Sequence, residues 1–117
     1  MIGHAALLAL ALALTAARDD PLAGRVPGSA VDCIELSRVQ GPEIVDARTI
    51  LYRQSARRVW RTGPVGACAA MRPGDGVVAM IYANRLCRND RFRVRAPGTL
   101  LGGECRFGPF TPYDKTP

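Results

Sequence analysis

The sequence predicts an all-β domain, a small antiparallel β-sandwich or barrel of about six short strands with two disulfides, after an N-terminal signal peptide. Three observations predict it. Apolar and β-branched residues come in short runs, several of them alternating with polar residues, and no long run has the 3.6-residue period of a helix. Turn residues punctuate those runs, with 12 glycines and 9 prolines in 117 residues. Four cysteines, Cys33, Cys68, Cys87 and Cys105, are spaced without any C-x-x-C pair, which reads as a disulfide framework rather than a zinc or redox motif.

The first element is a leader. Residues 5–14 are only Ala and Leu, followed by Thr15-Ala16-Ala17 and then the charged Arg18-Asp19-Asp20. An apolar run of that length ending in small residues is the pattern of a signal peptide, 1–17, cleaved near Ala17. It is shorter than the roughly 20 apolar residues a membrane-spanning helix needs, so the mature chain is expected to have no transmembrane segment. Residues 18–31 carry Asp, Pro, Gly and Ser and read as a flexible lead-in. A single all-β domain is expected over 32–110, with 111–117 as a polar tail.

Within the domain, Cys33-Ile34-Glu35-Leu36 opens the first strand and Gly41-Pro42 interrupts it. Ile44-Val45-Asp46, Thr49-Ile50-Leu51-Tyr52-Arg53 and, after a polar turn, Arg58-Val59-Trp60-Arg61 form a hairpin region. A Gly- and Pro-rich loop over 63–76 surrounds Cys68, and Pro73-Gly74 suits the two central positions of a type II turn. Residues 77–82 are almost wholly apolar and are expected to be buried on both faces. Asn89-Asp90 makes a turn, Asn89 taking a left-handed conformation. Arg91-Phe92-Arg93-Val94-Arg95 then alternates strictly, with Phe92 and Val94 inward. Cys105-Arg106-Phe107 is a short last strand.

An even cysteine count in a short exported chain implies two disulfides. Four cysteines allow three pairings, between which sequence does not choose. The preferred pairs are Cys68 with Cys87 and Cys33 with Cys105, each stabilising by roughly 3–4.5 kcal/mol in the chain-entropy model.

The net charge is +6, and of sixteen basic residues only Lys115 is lysine. The count itself fits the composition of an Ala-, Gly-, Pro- and Val-rich chain. Placement is more informative, because Arg91, Arg93 and Arg95, with Arg88 and Arg85 nearby, make a positive stripe suited to an anionic partner. The plainer reading of that stripe is the solvated face of a half-buried strand. The single histidine, His4, falls in the leader, so a mature chain has no Ser-His-Asp or Cys-His centre and no imidazole for zinc. Asp32 with Glu35 and Glu43 with Asp46 are too close along strands to face one another across a cleft. No phosphate-binding glycine loop is present. No catalytic residue, metal or cofactor is assigned, and the chain is read as not an enzyme. Nucleic acid is disfavoured as a partner, since the seven aromatics are needed for the core.

The segments Ile44-Val45-Asp46, Thr49-Ile50-Leu51-Tyr52, Leu86-Cys87-Arg88-Asn89-Asp90-Arg91-Phe92 and Cys105-Arg106-Phe107-Gly108-Pro109-Phe110 resemble a four-cysteine family of small exported proteobacterial proteins, a domain of unknown function. The resemblance runs from Cys33 to Phe110. Its most specific pieces are Leu-Cys-x-x-Asp and Cys-x-x-Gly-x-Phe; Asn89 stands where members often carry Gly. The resemblance implies export and four paired cysteines, and it lends no activity.

The expectation is an exported, periplasmic or secreted β domain with a non-catalytic binding or structural role in the cell envelope. Its partner would be an anionic envelope component or a protein. A first alternative is a secreted inhibitor of a hydrolase, acting through the disulfide-held loop 63–76. A second is an enzyme of unfamiliar type.

Overall fold

The computed structural model describes residues 20–66, 68 and 71–116. The expected leader, 1–17, lies outside the described residues. The strands are β1 (Arg25–Pro27), β2 (Cys33–Glu35), β3 (Gln40–Asp46), β4 (Thr49–Arg53) and β5 (Arg58–Thr62). They continue with β6 (Gly76–Ala79), β7 (Arg85–Cys87), β8 (Arg91–Ala96), β9 (Thr99–Leu100), β10 (Cys105–Arg106) and β11 (Thr111–Lys115). A 3-10 turn over Leu36–Arg38 is the one helical element among the described residues. The domain is all-β, as the sequence predicts, with about twice the expected number of strands because many are two or three residues long.

β3, β4 and β5 form an antiparallel meander inside a five-stranded sheet of order β1-β11-β5-β4-β3. Local chemistry sets its turns. The Asp46 carboxylate accepts the Arg48 N–H (2.8 Å) between β3 and β4. Between β4 and β5, Ser55 Oγ accepts the N–H groups of Arg57 (3.3 Å) and Arg58 (3.1 Å). After β5 the chain passes so close to the Arg48 carbonyl that a Cβ at Gly63 would collide with it, so only glycine fits.

Two expectations are corrected here. The lead-in and the tail are strands: β1 pairs with β11, Arg25 opposite Lys115, and β11 pairs with β5, Pro112 opposite Trp60. Pro112 disguised the last strand, because proline lacks the N–H that a central strand normally donates. Here its carbonyl accepts the Gly28 N–H (2.8 Å), and Phe110 beside it is fully buried.

A second sheet has order β10-β8-β6, with β9 also on β8, and β2 pairs with β7 as a separate two-stranded unit. The 77–82 run is therefore not a strand buried on both faces. β6 is an edge strand that ends at Ala79, and Val78, Met80, Ile81 and Tyr82 are all exposed. Nor do β6 and β8 form a tight hairpin. Between them the chain turns at Ala83, φ 61°, and β7 leaves to pair with β2. Its far end turns as expected: Asn89 has φ 73°, and Asp90 accepts the Cys87 N–H through its carboxylate (2.7 Å). Gly74, φ 92°, sits in a turn closed by the Asp75 N–H to Arg72 carbonyl bond (3.0 Å), as Pro73-Gly74 implies.

The departure of β7 also corrects the disulfides, which join Cys33 to Cys87 and Cys68 to Cys105. Cys33 and Cys87 are direct cross-strand partners, Cα atoms 4.0 Å apart. Cys105 is opposite Phe92 and points into the core, where Cys68 meets it with Cα atoms 5.3 Å apart.

The core lies between the sheets. Ile44, Ile50, Tyr52 and Trp60 come from the larger one, Phe92 and Val94 from the smaller, and Ile34 and Leu86 from the two-stranded unit. Phe107 sits at the centre, its ring 4.3 Å from that of Phe92 and 6.0 Å from that of Phe110. Burying each of these phenyl groups stabilises the fold by roughly 1.5–3 kcal/mol.

Candidate functional site

β8 carries the arginine row. Its burial alternates as the sequence implies: Arg91, Arg93 and Arg95 are exposed, while Phe92 and Val94 are buried. Residues directly opposite in an antiparallel pair share a face, so register defines what surrounds the row. Arg93 lies opposite Val78, and Arg95 opposite Gly76 on β6 and Leu100 on β9. Arg91 lies opposite Arg106 on β10. The face thus joins four guanidinium groups to the exposed apolar side chains of Val78 and Leu100, with Met80 continuing the β6 edge.

Its arginines are not equivalent. Arg91 is 3.4 Å from the Glu104 carboxylate. Arg93 and Arg95 have no carboxylate within 4 Å among the described residues. Arg85 and Arg88 belong to the two-stranded unit instead of this sheet. Arg85 meets Glu35 at 3.8 Å across β2 and β7, and Arg88 meets Asp32 at 4.0 Å. All these ion pairs are solvent-exposed and hold little stability, about 0–1 kcal/mol each. Sequence reasoning omitted Arg106 from the face. The alternation of Cys105, Arg106 and Phe107, with its flanking residues inward, was the available signal.

The carboxylates considered for acid–base work have local partners. Asp32 and Glu35 face Arg88 and Arg85, Glu43 binds Arg53 (3.0 Å), and Asp46 accepts a backbone N–H. Neither pair stands across a cleft. Among the described residues, no three His, Cys, Asp or Glu side chains form a metal-binding group, and all four cysteines are paired. The loop 63–76 is held to Cys105 through Cys68, and Met71 on it is buried in the core. None of the helical structure among the described residues is long and apolar enough to cross a membrane.

Three titratable groups among the described residues are clearly shifted, all in the five-stranded sheet. Burial pushes the Tyr52 phenol well above its ordinary value. On the cross-strand pair of β5 and β11, Arg58 donates two hydrogen bonds of 2.8 Å to Asp114. Those bonds hold the Asp114 carboxyl below the usual range and raise Arg58. The same guanidinium lies 5.3 Å from the Trp60 ring centroid, a cation–π distance.

No family model, curated protein or solved structure matches the chain.

Proposed function

We propose that the chain is an exported, non-catalytic binding protein that meets an anionic component of the cell envelope through Arg91, Arg93, Arg95 and Arg106. The observation that carries this reading is the environment of Arg93 and Arg95. They stand on the outward face of β8 with uncharged cross-strand neighbours and no carboxylate within 4 Å among the described residues. Guanidinium groups so placed keep their full charge for a partner, and they pair bidentately with phosphate or carboxylate. Export is supported by the leader-like run at 5–14 and by two disulfides in a small domain. The resemblance to exported four-cysteine proteins agrees with it.

The test is sedimentation of the disulfide-bonded protein with isolated envelopes over a salt series. Binding is expected to weaken as salt screens the exposed charges. It should be lost in the Arg93→Glu, Arg95→Glu double variant while circular dichroism is unchanged. Envelope binding that this variant retains in full would remove the arginine face from the proposal.

A further inference from the structure

A second cationic feature lies on the other sheet. A groove of about 590 Å³ opens where the turn after β2, the β4–β5 turn and the ends of β1 and β11 come together. Arg25, Arg38, Arg53 and Lys115 line it, and no carboxylate is among the described lining residues. Arg25 and Lys115 are direct cross-strand partners, and like charges in that position repel. Among the described residues no carboxylate lies within 4 Å of either side chain, although Asp114 on β11 feels the Arg25 charge. The Arg25 guanidinium donates to the carbonyls of Arg57 (2.8 Å), Ala56 (3.3 Å) and Tyr113 (3.4 Å), which fix it without neutralising it. Arg53 shares its charge with Glu43 at 3.0 Å. The side chains of Arg38 and Lys115 make no hydrogen bond or ion pair among the described residues.

Two of the neutral lining residues can add donors to these cations. Trp60 Nε1, which can only donate, bonds Gln54 Oε1 at 2.7 Å, which takes one lone pair of that oxygen and leaves the amide NH2 to donate. Ser55 Oγ already accepts two backbone N–H groups, which leaves its hydroxyl proton. Four cations and the donors of Gln54 and Ser55 line a space larger than one phosphate needs, together with the side chains of Ser37 and Gln40.

We propose that this groove binds a small phosphorylated molecule, its phosphate or diphosphate group held by Arg38 and Lys115 against the fixed Arg25, with Gln54 and Ser55 donating. Guanidinium and ammonium groups match a multiply charged phosphate better than a single carboxylate, and the volume falls in the range of small-molecule sites. The site is independent of the arginine face.

Inorganic pyrophosphate is the probe, titrated by calorimetry into the full oxidised chain. Trp60 fluorescence provides a second readout, because the indole is bonded to a lining residue. Saturable one-site binding is expected, weakened about tenfold or more in the Arg38→Ala, Lys115→Ala double variant. Both side chains are exposed and unbonded, so this variant should fold. The Arg93→Glu, Arg95→Glu variant should bind as the parent does. Three results would overturn the proposal: no saturable binding at low salt, undiminished affinity in the Arg38 and Lys115 variant, or equal binding of sulfate or chloride at matched ionic strength.

Discussion

The five-stranded sheet and the smaller β6–β8–β9–β10 and β2–β7 units solve the problem of staying folded differently. The former has three strands of five or more residues in a local meander and extends it with β11. Its turns close through side chains within three residues, Asp46 and Ser55. The smaller units contain strands of two and three residues, and β2 pairs with β7 across a sequence separation of 54 at Cys33 and Cys87. Strands that short are marginal alone, and both disulfides are found there. Neither links two strands of the five-stranded sheet. Among the described residues, shifted ionisations are by contrast found only in that sheet, at Tyr52, Arg58 and Asp114. The lesson is a division of sensitivity, with redox state acting on the smaller units and pH on the larger sheet.

The largest expected effect tests the redox half. The disulfides span 54 and 37 residues, which in the chain-entropy model corresponds to about 4 kcal/mol each. Cys33→Ser with Cys87→Ser, or Cys68→Ser with Cys105→Ser, should lower the urea midpoint accordingly. Amide exchange should show where the loss falls. Protection is expected to drop first in β2 and β7 for the first pair, and in β10 for the second, while β4 and β5 keep theirs longest. Equal loss across all strands would mean one cooperative unit and end the comparison.

The next effect is alkaline and belongs to Tyr52. Its folded pKa lies above the unfolded value of about 10, so the phenol stabilises the fold fully below that pH. Above it, unfolded chains lose the proton while buried Tyr52 keeps it, and stability falls by up to about 1.4 kcal/mol per pH unit. Tyr52→Phe should flatten that decline relative to the parent in urea titrations at rising pH. A decline of unchanged slope in the variant would place the alkaline sensitivity elsewhere.

The same division explains what was legible in the sequence. The β3–β4–β5 region could be read because each strand follows its neighbour, and Thr49-Ile50-Leu51-Tyr52 has strong β-forming chemistry. The alternation at 91–95 and the turns at Gly74 and Asn89 are equally local. Non-local pairings left no such mark. Nothing in Thr111-Pro112-Tyr113 announces an interior strand, and nothing near Cys87 shows that β7 departs for β2. The apolar 77–82 run misled because an edge strand can leave apolar side chains exposed. Three of the four arginines of the face were readable for the same reason: Arg91, Arg93 and Arg95 lie on one strand, whereas Arg106 joins them only through pairing. The end groove was not readable at all. Its cations come from four separate segments, and only the fold puts Arg25 beside Lys115.

The smallest effect concerns Asp114 at acid pH, on the larger sheet. Hydrogen bonds from Arg58 depress its folded pKa, so the contribution is present above the unfolded carboxylate value and lost as pH falls through the folded one. The pair is exposed, and salt should shrink the effect. Asp114→Asn should therefore remove part of the acid destabilisation at low ionic strength and almost none of it at high. Arg91 and Glu104 make the corresponding contact on the arginine face, without the paired hydrogen bonds that join Arg58 to Asp114. An acid limb that Asp114→Asn leaves unchanged at low ionic strength would show that the hydrogen-bonded pair does not govern the acid response, and the larger sheet would have no special claim to it.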